Sequence, residues 1–153
     1  MQYINDAEIL DLYAGTGNLG IEALSRGAKF CTFIDKNKEC SLIIKENLKS
    51  TKLNDSASIL TGDIAIELRK LANQKNKFDI IFMDPPYNKD LVNEILDIII
   101  KYDLLRENGI IIVEHSDKDT IKQNEEKLTL IKNRKYGHTI LSFFKFCKSM
   151  VVY

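Results

Sequence analysis

Glu8-Ile9-Leu10-Asp11-Leu12-Tyr13-Ala14-Gly15-Thr16-Gly17-Asn18-Leu19-Gly20 passes from a short apolar run into a glycine-rich turn and then into residues of helical period. The run predicts a buried strand over about Glu8 to Tyr13, and the following stretch predicts a helix from about Asn18 to Arg26 that Gly27 terminates. Gly15, Gly17 and Gly20 fit the G-x-G-x-x-G pattern between a strand and a helix, which implies a nucleotide-type cofactor. The same turn is also a purely structural device. What adds weight is Asp35, which ends the next apolar run twenty residues after Gly15, where a carboxylate suits ribose hydroxyls.

Outward from this unit, apolar runs alternate with helical stretches, and no internal repeat or low-complexity linker interrupts them. Strands are expected near Phe30 to Ile34, Ala57 to Leu60, Phe78 to Met83 and Gly109 to Glu114. Helices are expected between them: one carrying Cys40, Ile43, Ile44 and Leu48 on one face, one from about Ile64 to Ala72, and one over Leu91 to Lys101. This alternation reads as a βαβ sheet. The tail differs, because Leu128 to Tyr136 and Thr139 to Phe146 flank Gly137-His138 as an antiparallel hairpin.

Asp84-Pro85-Pro86-Tyr87 follows the run Phe78 to Met83 directly. Two prolines cannot continue a strand's hydrogen-bond ladder, so the chain must turn at the strand's carboxyl end, which is where open α/β sheets bind ligands. The turn gathers a carboxylate, prolyl carbonyls and an aromatic face. An exocyclic amine on a flat base fits it: the Asp84 side chain and the Pro85 carbonyl accept the two hydrogens, and the Tyr87 ring stacks on the base. The bland alternative is a stiff loop whose tyrosine covers a core edge.

Asp11 and Asp63 each admit two readings. A carboxylate beside the glycine turn disfavours a pyrophosphate and suits a cationic cofactor tail, yet Asp11 can equally bond the loop's own amides. Asp63 follows the third strand, where it can accept from an adenine amine or cap the next helix.

The 153 residues predict a single domain spanning 1–153, with a sizeable core. Lys plus Arg and Asp plus Glu are equal at 22 each, so overall charge makes no case for nucleic-acid binding, and any such contact must be local. Cys31, Cys40 and Cys147 lack metal-ligand spacing and read as core thiols in a reducing compartment; no metal is expected. The first residues show neither a signal peptide nor a membrane span, and the chain is expected to be cytoplasmic. His115 reads as a structural or rim residue and His138 as a plain turn residue. Lys132, Arg134 and Lys135 read as a solvated strand face more than a phosphate contact.

Together, Asp11 to Gly20, Asp35, Asp63 and Asp84 to Tyr87 resemble the class I S-adenosylmethionine-dependent methyltransferases over nearly the whole chain. The tetrapeptide looks like the Asp/Asn-Pro-Pro-Tyr/Phe motif of enzymes that methylate exocyclic or amide nitrogen. More narrowly, Asp11 to Gly17, Leu24-Ser25-Arg26-Gly27-Ala28, Val113-Glu114-His115 and Tyr136-Gly137-His138-Thr139 resemble the RsmD family, which methylates the N2 amine of one guanine in small-subunit (16S) ribosomal RNA.

The resemblance implies a Rossmann-like, seven-stranded, mostly parallel sheet with an antiparallel last strand and helices on both faces. It implies S-adenosyl-L-methionine as cofactor, with Gly15, Gly17 and Asn18 along the methionine part, Asp35 at the ribose and Asp63 at adenine. Asp84, Pro85, Pro86 and Tyr87 would hold the base, and the partner would be ribosomal RNA within the small subunit. Family members carry a basic segment before the first strand, and Met1 here lies only a few residues upstream of it, so that RNA-gripping arm is expected to be missing. The alternatives are a DNA adenine-N6 methyltransferase, which would flip its base from the duplex, and a cofactor-binding module inactive without that arm.

Overall fold

The computed structural model describes residues 3–86, 91–119, 121 and 128–146. Strands β1 (Glu8–Leu12), β2 (Phe30–Asp35), β3 (Ala57–Thr61), β4 (Phe78–Met83) and β5 (Leu105–Ser116) alternate with helices α1 (Asn18–Ser25), α2 (Lys38–Ser50), α3 (Ile64–Asn73) and α4 (Leu91–Lys101). Strands β6 (Leu128–Tyr136) and β7 (Thr139–Phe146) close the chain as a hairpin. The sheet order is β3-β2-β1-β4-β5-β7-β6, with β7 inserted antiparallel between β5 and β6. This is the Rossmann-like architecture expected, and the order reverses between β1 and β4.

Residues alternate across the sheet, so each strand feeds two cores. Leu10, Leu12, Ile81, Met83, Ile111 and Val113 pack with Leu68 of α3 and with Ile95 and Ile99 of α4. On the opposite face Ile9, Phe33, Ile80 and Phe82 pack with Ala23 and Leu24 of α1 and Ile44 and Leu48 of α2. Phe33 and Ile44 are fully buried, each contributing roughly 1.5–3 kcal/mol of apolar burial.

Two expectations about packing are corrected. On α2 the buried residues are Ser41, Ile44 and Leu48, whereas Ile43 is exposed and Cys40 is only partly covered. The apolar face is turned by one position because the Ser41 hydroxyl meets the Thr61 hydroxyl at 2.6 Å, so a polar side chain is satisfied inside. Of the expected core thiols, Cys31 is buried and Cys147 lies outside the described residues. Strand β5 also begins earlier than the apolar run, since Leu105 pairs with Phe78 ahead of a register shift. Arg106 there bridges Asp79 at 2.9 Å and Glu8 at 2.6 Å, tying the amino-terminal ends of three strands. Among the described residues no helix is long and apolar enough to cross a membrane.

Candidate active site

The carboxyl ends of the parallel strands all open at one edge of the sheet, and the sequence-predicted residues collect there. Leu12 pairs with Met83, so the glycine turn after β1 and the Asp84 turn after β4 leave the sheet side by side, at the point where strand order reverses. Ligands of open α/β sheets bind at such a point because diverging connections leave a crevice.

The glycine turn owes its shape to backbone that glycine adopts without steric cost. Gly15 and Gly17 have φ of +59° and +80°, and Gly17 stands at the amino end of α1 with no side-chain cap, which leaves helix amides available at the crevice. A side chain at Gly15 would point into open space. At Gly20, by contrast, a Cβ would lie 2.4 Å from the Phe33 ring and 2.7 Å from Cys31 Sγ, so that glycine lets α1 lie against β2. Asn47 of α2 donates to the Thr16 carbonyl at 3.0 Å and braces the turn from the side.

Asp35 ties this turn to the next. Its Oδ2 accepts from the Gly15 amide at 2.9 Å and its Oδ1 from the Asn37 amide at 2.8 Å. Asp11 sits beneath the turn, buried, with Oδ2 accepting from the Gly20 amide at 3.1 Å. Of its two readings, bonding to the loop's own amides is therefore seen directly. Burial raises its carboxyl to about 7, against the lowering by the Gly20 amide, with the charges of Asp84 and Asp35 adding to the rise. Asp63 caps α3 by accepting from the Ile66 amide at 3.1 Å, and its side chain stays exposed at the same edge. Asn18, the first residue of α1, is exposed there too.

Asp84, Pro85 and Pro86 line a cleft of about 370 Å³ together with Glu114 and His115 of β5. Tyr87 lies outside the described residues. Asp84 opens toward solvent on one side, and its carboxyl is raised to about 6, first by partial burial and then by the neighbouring Glu114 carboxylate. His115 is buried, with Nε2 2.7 Å from Ser142 Oγ and Nδ1 3.0 Å from the Ser116 carbonyl, so the expected structural and rim roles coincide. A larger cavity of about 460 Å³, bordered by Leu19, Ile80, Phe82, Ile112 and Phe143, is almost wholly apolar. The smaller cleft, by contrast, is lined by the polar groups Asp84, Glu114 and His115.

Three residues that sequence reasoning did not select stand at this edge. Glu114 carries a readable signal, a carboxylate ending a continuous apolar strand. Tyr13, at φ +58°, is a non-glycine residue in left-handed backbone next to the turn. Burial raises its hydroxyl to about 12, with the carboxylates of Asp63 and Glu94 adding to the rise. Glu94 carries no signal a reader of α4 alone would find. His138 is more than a plain turn residue: its Nδ1 is 3.1 Å from Asp117 Oδ2, which Lys135 approaches at 3.5 Å. The basic stretch is likewise partly engaged, with Lys132 lying over the Phe143 ring.

The donor set can be tested against candidate cofactors. The turn from Asp11 to Gly20 contains no lysine or arginine, and carboxylates stand below and beside it, which suits hydroxyls and a cationic amino-acid tail better than a pyrophosphate. Fold and site together define the class of the S-adenosylmethionine-dependent methyltransferases. Comparison with known proteins narrows this. A family model described as conserved hypothetical protein 95 matches residues 1–145. The ribosomal RNA small subunit methyltransferase D of Haemophilus influenzae is 33% identical over 137 residues, covering 90% of this chain and 70% of that protein. Among solved structures, a conserved hypothetical protein of Streptococcus pyogenes superposes with a TM-score of 0.84 at 27% identity, covering 92% of this chain and 86% of that one. The Escherichia coli protein yhhF superposes at 0.83 with 28% identity, covering 95% and 78%. The chain belongs to the RsmD family of methyltransferases.

Proposed function

We propose that this protein transfers a methyl group from S-adenosylmethionine to the exocyclic N2 amine of a guanine in small-subunit (16S) ribosomal RNA. The observation that carries the reading is the adjacency of the glycine turn and the Asp84 turn on neighbouring strands β1 and β4, where strand order reverses. One turn suits a methyl donor and the other an amine acceptor. The similarity to the ribosomal RNA small subunit methyltransferase D of Haemophilus influenzae supports ribosomal RNA as the substrate.

In this reading Gly15, Gly17 and Asn18 border the methionine part, with Asp11 as the charge beneath it. Asp35 holds the ribose and Asp63 the adenine amine. When bound, S-adenosylmethionine supplies a methyl group already activated on a sulfonium. The chain's task is then mainly to place the amine in line. Asp84 and the Pro85 carbonyl accept its two hydrogens, Pro86 stiffens the turn, and Tyr87 stacks on the base. A guanine N2 lone pair is delocalised into the ring, so acceptors that favour a pyramidal, partly positive nitrogen act most strongly in the transition state. Asp84 orients the amine and stabilises that charge; removal of the proton follows transfer. No step calls for a covalent enzyme intermediate.

The test is methyl transfer from labelled donor to small subunits lacking the modification, and to the naked RNA, followed by mapping of the labelled atom. A single labelled guanine N2 is the expected result. Label on an adenine N6 would overturn the base assignment, and donor binding without transfer to either substrate would favour a binding module.

A further inference from the structure

We propose that Glu114 is a base-selecting residue: with Asp84 it forms a two-carboxylate edge that accepts from the adjacent N1–H and N2–H groups of guanine. This rests on the guanine reading above and deepens it by naming what tells guanine from other bases.

The placement follows from strand register. Met83 pairs with Val113, so Asp84 and Glu114 are the next residues on two neighbouring strands, and adjacent strands lie about 4.8 Å apart. Both line the same cleft with Pro85, Pro86 and His115. Among the described residues neither carboxylate has a salt-bridge partner. His115 does not compete for Glu114, since its ring nitrogens meet Ser142 and the Ser116 carbonyl.

Two half-exposed carboxylates side by side make an unusual recognition edge, because an ionised pair can only accept. The bases differ at this point. Guanine shows two neighbouring donors, N1–H and the N2 amine. Adenine and cytosine each show an amine beside a ring nitrogen that is itself an acceptor. Asp84 alone would suit any of these amines. With Glu114 alongside, an adenine or cytosine ring nitrogen would face a carboxylate lone pair, leaving both unpaired in a partly buried cleft. Guanine meets both acceptors.

Charge at this edge supports the assignment. Asp84 is raised to about 6 by partial burial and the neighbouring Glu114 charge, so its carboxyl is acceptor-only above that range. The titratable groups facing it are Glu114 and His115 on β5 and, from β1, Asp11, whose own rise includes the Asp84 charge.

The experiment replaces the target guanine of the RNA with 2,6-diaminopurine, which keeps the N2 amine but turns N1 from a donor into an acceptor. Wild-type protein should favour guanine at least about tenfold in kcat/KM, the scale of one good polar base contact. Glu114→Gln can donate its amide hydrogen to the diaminopurine N1, so the guanine-to-diaminopurine ratio should fall about tenfold. A merely structural Glu114 would lower both rates together, and an unchanged ratio in a normally folded E114Q overturns the assignment. If E114Q does not fold, the wild-type ratio decides: a preference below about twofold overturns it and one above about tenfold supports it. Wild-type protein that methylates neither RNA would instead overturn the guanine reading itself, and this assignment with it.

Discussion

The Gly15 amide donates to Asp35 Oδ2 at 2.9 Å across twenty positions of sequence, and the other oxygen of the same carboxylate holds the Asn37 amide. One side chain at the end of β2 thereby sets the geometry of the turn after β1 and of the entry to α2. Its remaining lone pairs are available to hydroxyl donors.

Asp35→Ala should therefore weaken methyl-donor binding and loosen the turn together. Titration calorimetry should show a loss of about 1.5–3 kcal/mol, the range of a hydrogen bond to a charged group. Asp35→Asn retains one carbonyl acceptor and should lose less. Donor affinity unchanged in Asp35→Ala would exclude the ribose role.

Asp84→Ala should keep donor affinity and abolish most methyl transfer, since the residue stands in the cleft rather than under the glycine turn. A loss of 10²-fold or more in kcat is expected for removal of a positioned transition-state acceptor. Rates should also depend on pH. A carboxyl raised to about 6 carries a proton in mild acid and is then a weaker, uncharged acceptor for the amine, so transfer should rise as pH increases through about 6. Asp84→Asn should flatten that limb. A limb unchanged in the variant would assign the titration to another group, with Asp11, raised to about 7, the first candidate.

Asp11 has the opposite bearing on stability. Its folded carboxyl is raised to about 7 from 3.8, so the folded state binds a proton the unfolded chain releases. Stability from this group is full below about pH 4 and falls as pH rises through about 7. Asp11→Asn removes the charged form, so melting of the ligand-free variant should exceed wild type at pH 8 and the difference should shrink toward pH 4. Each kcal/mol corresponds to about 2–4 °C in a protein of this size. Donor affinity should fall in the same variant if Asp11 balances a cationic tail. A Tm difference independent of pH would show that the proton is not linked to folding.

Gly20→Ala should destabilise through contact alone. The added methyl would meet the Phe33 ring at 2.4 Å, and Phe33 is fully buried between α1 and α2. Overpacking of this kind costs roughly 1–3 kcal/mol, read as a lowered denaturation midpoint. Gly15→Ala meets no atom but adopts left-handed backbone at φ +59°, so its cost should be smaller, about 1–2 kcal/mol.

Strand and helix identities were legible because they are written in local periodicity. Phe78–Met83, Leu91–Lys101 and the hairpin strands Leu128–Tyr136 and Thr139–Phe146 have the bounds expected from their patterns. Where a polar group enters the interior, the pattern misleads. Ser41 is buried by its bond to Thr61, which turns Ile43 outward. The start of β5 was hidden because Arg106 and Glu107 break the apolar run, although Arg106 is held by Glu8 and Asp79 from other strands.

The sequence by itself determined the glycine turn, the acidic ends of the strands and the Asp-Pro-Pro turn, because each depends on backbone constraints and side-chain chemistry within a few residues. Only the tertiary structure decided which of those ends meet. Asp84 and Glu114 are thirty residues apart in the chain. They share a cleft because β4 and β5 pair in parallel with Met83 against Val113. Asp35 reaches Gly15 only because β2 lies beside β1. Strand order and register come from how two cores are buried on opposite sheet faces, and that is a property of the whole chain.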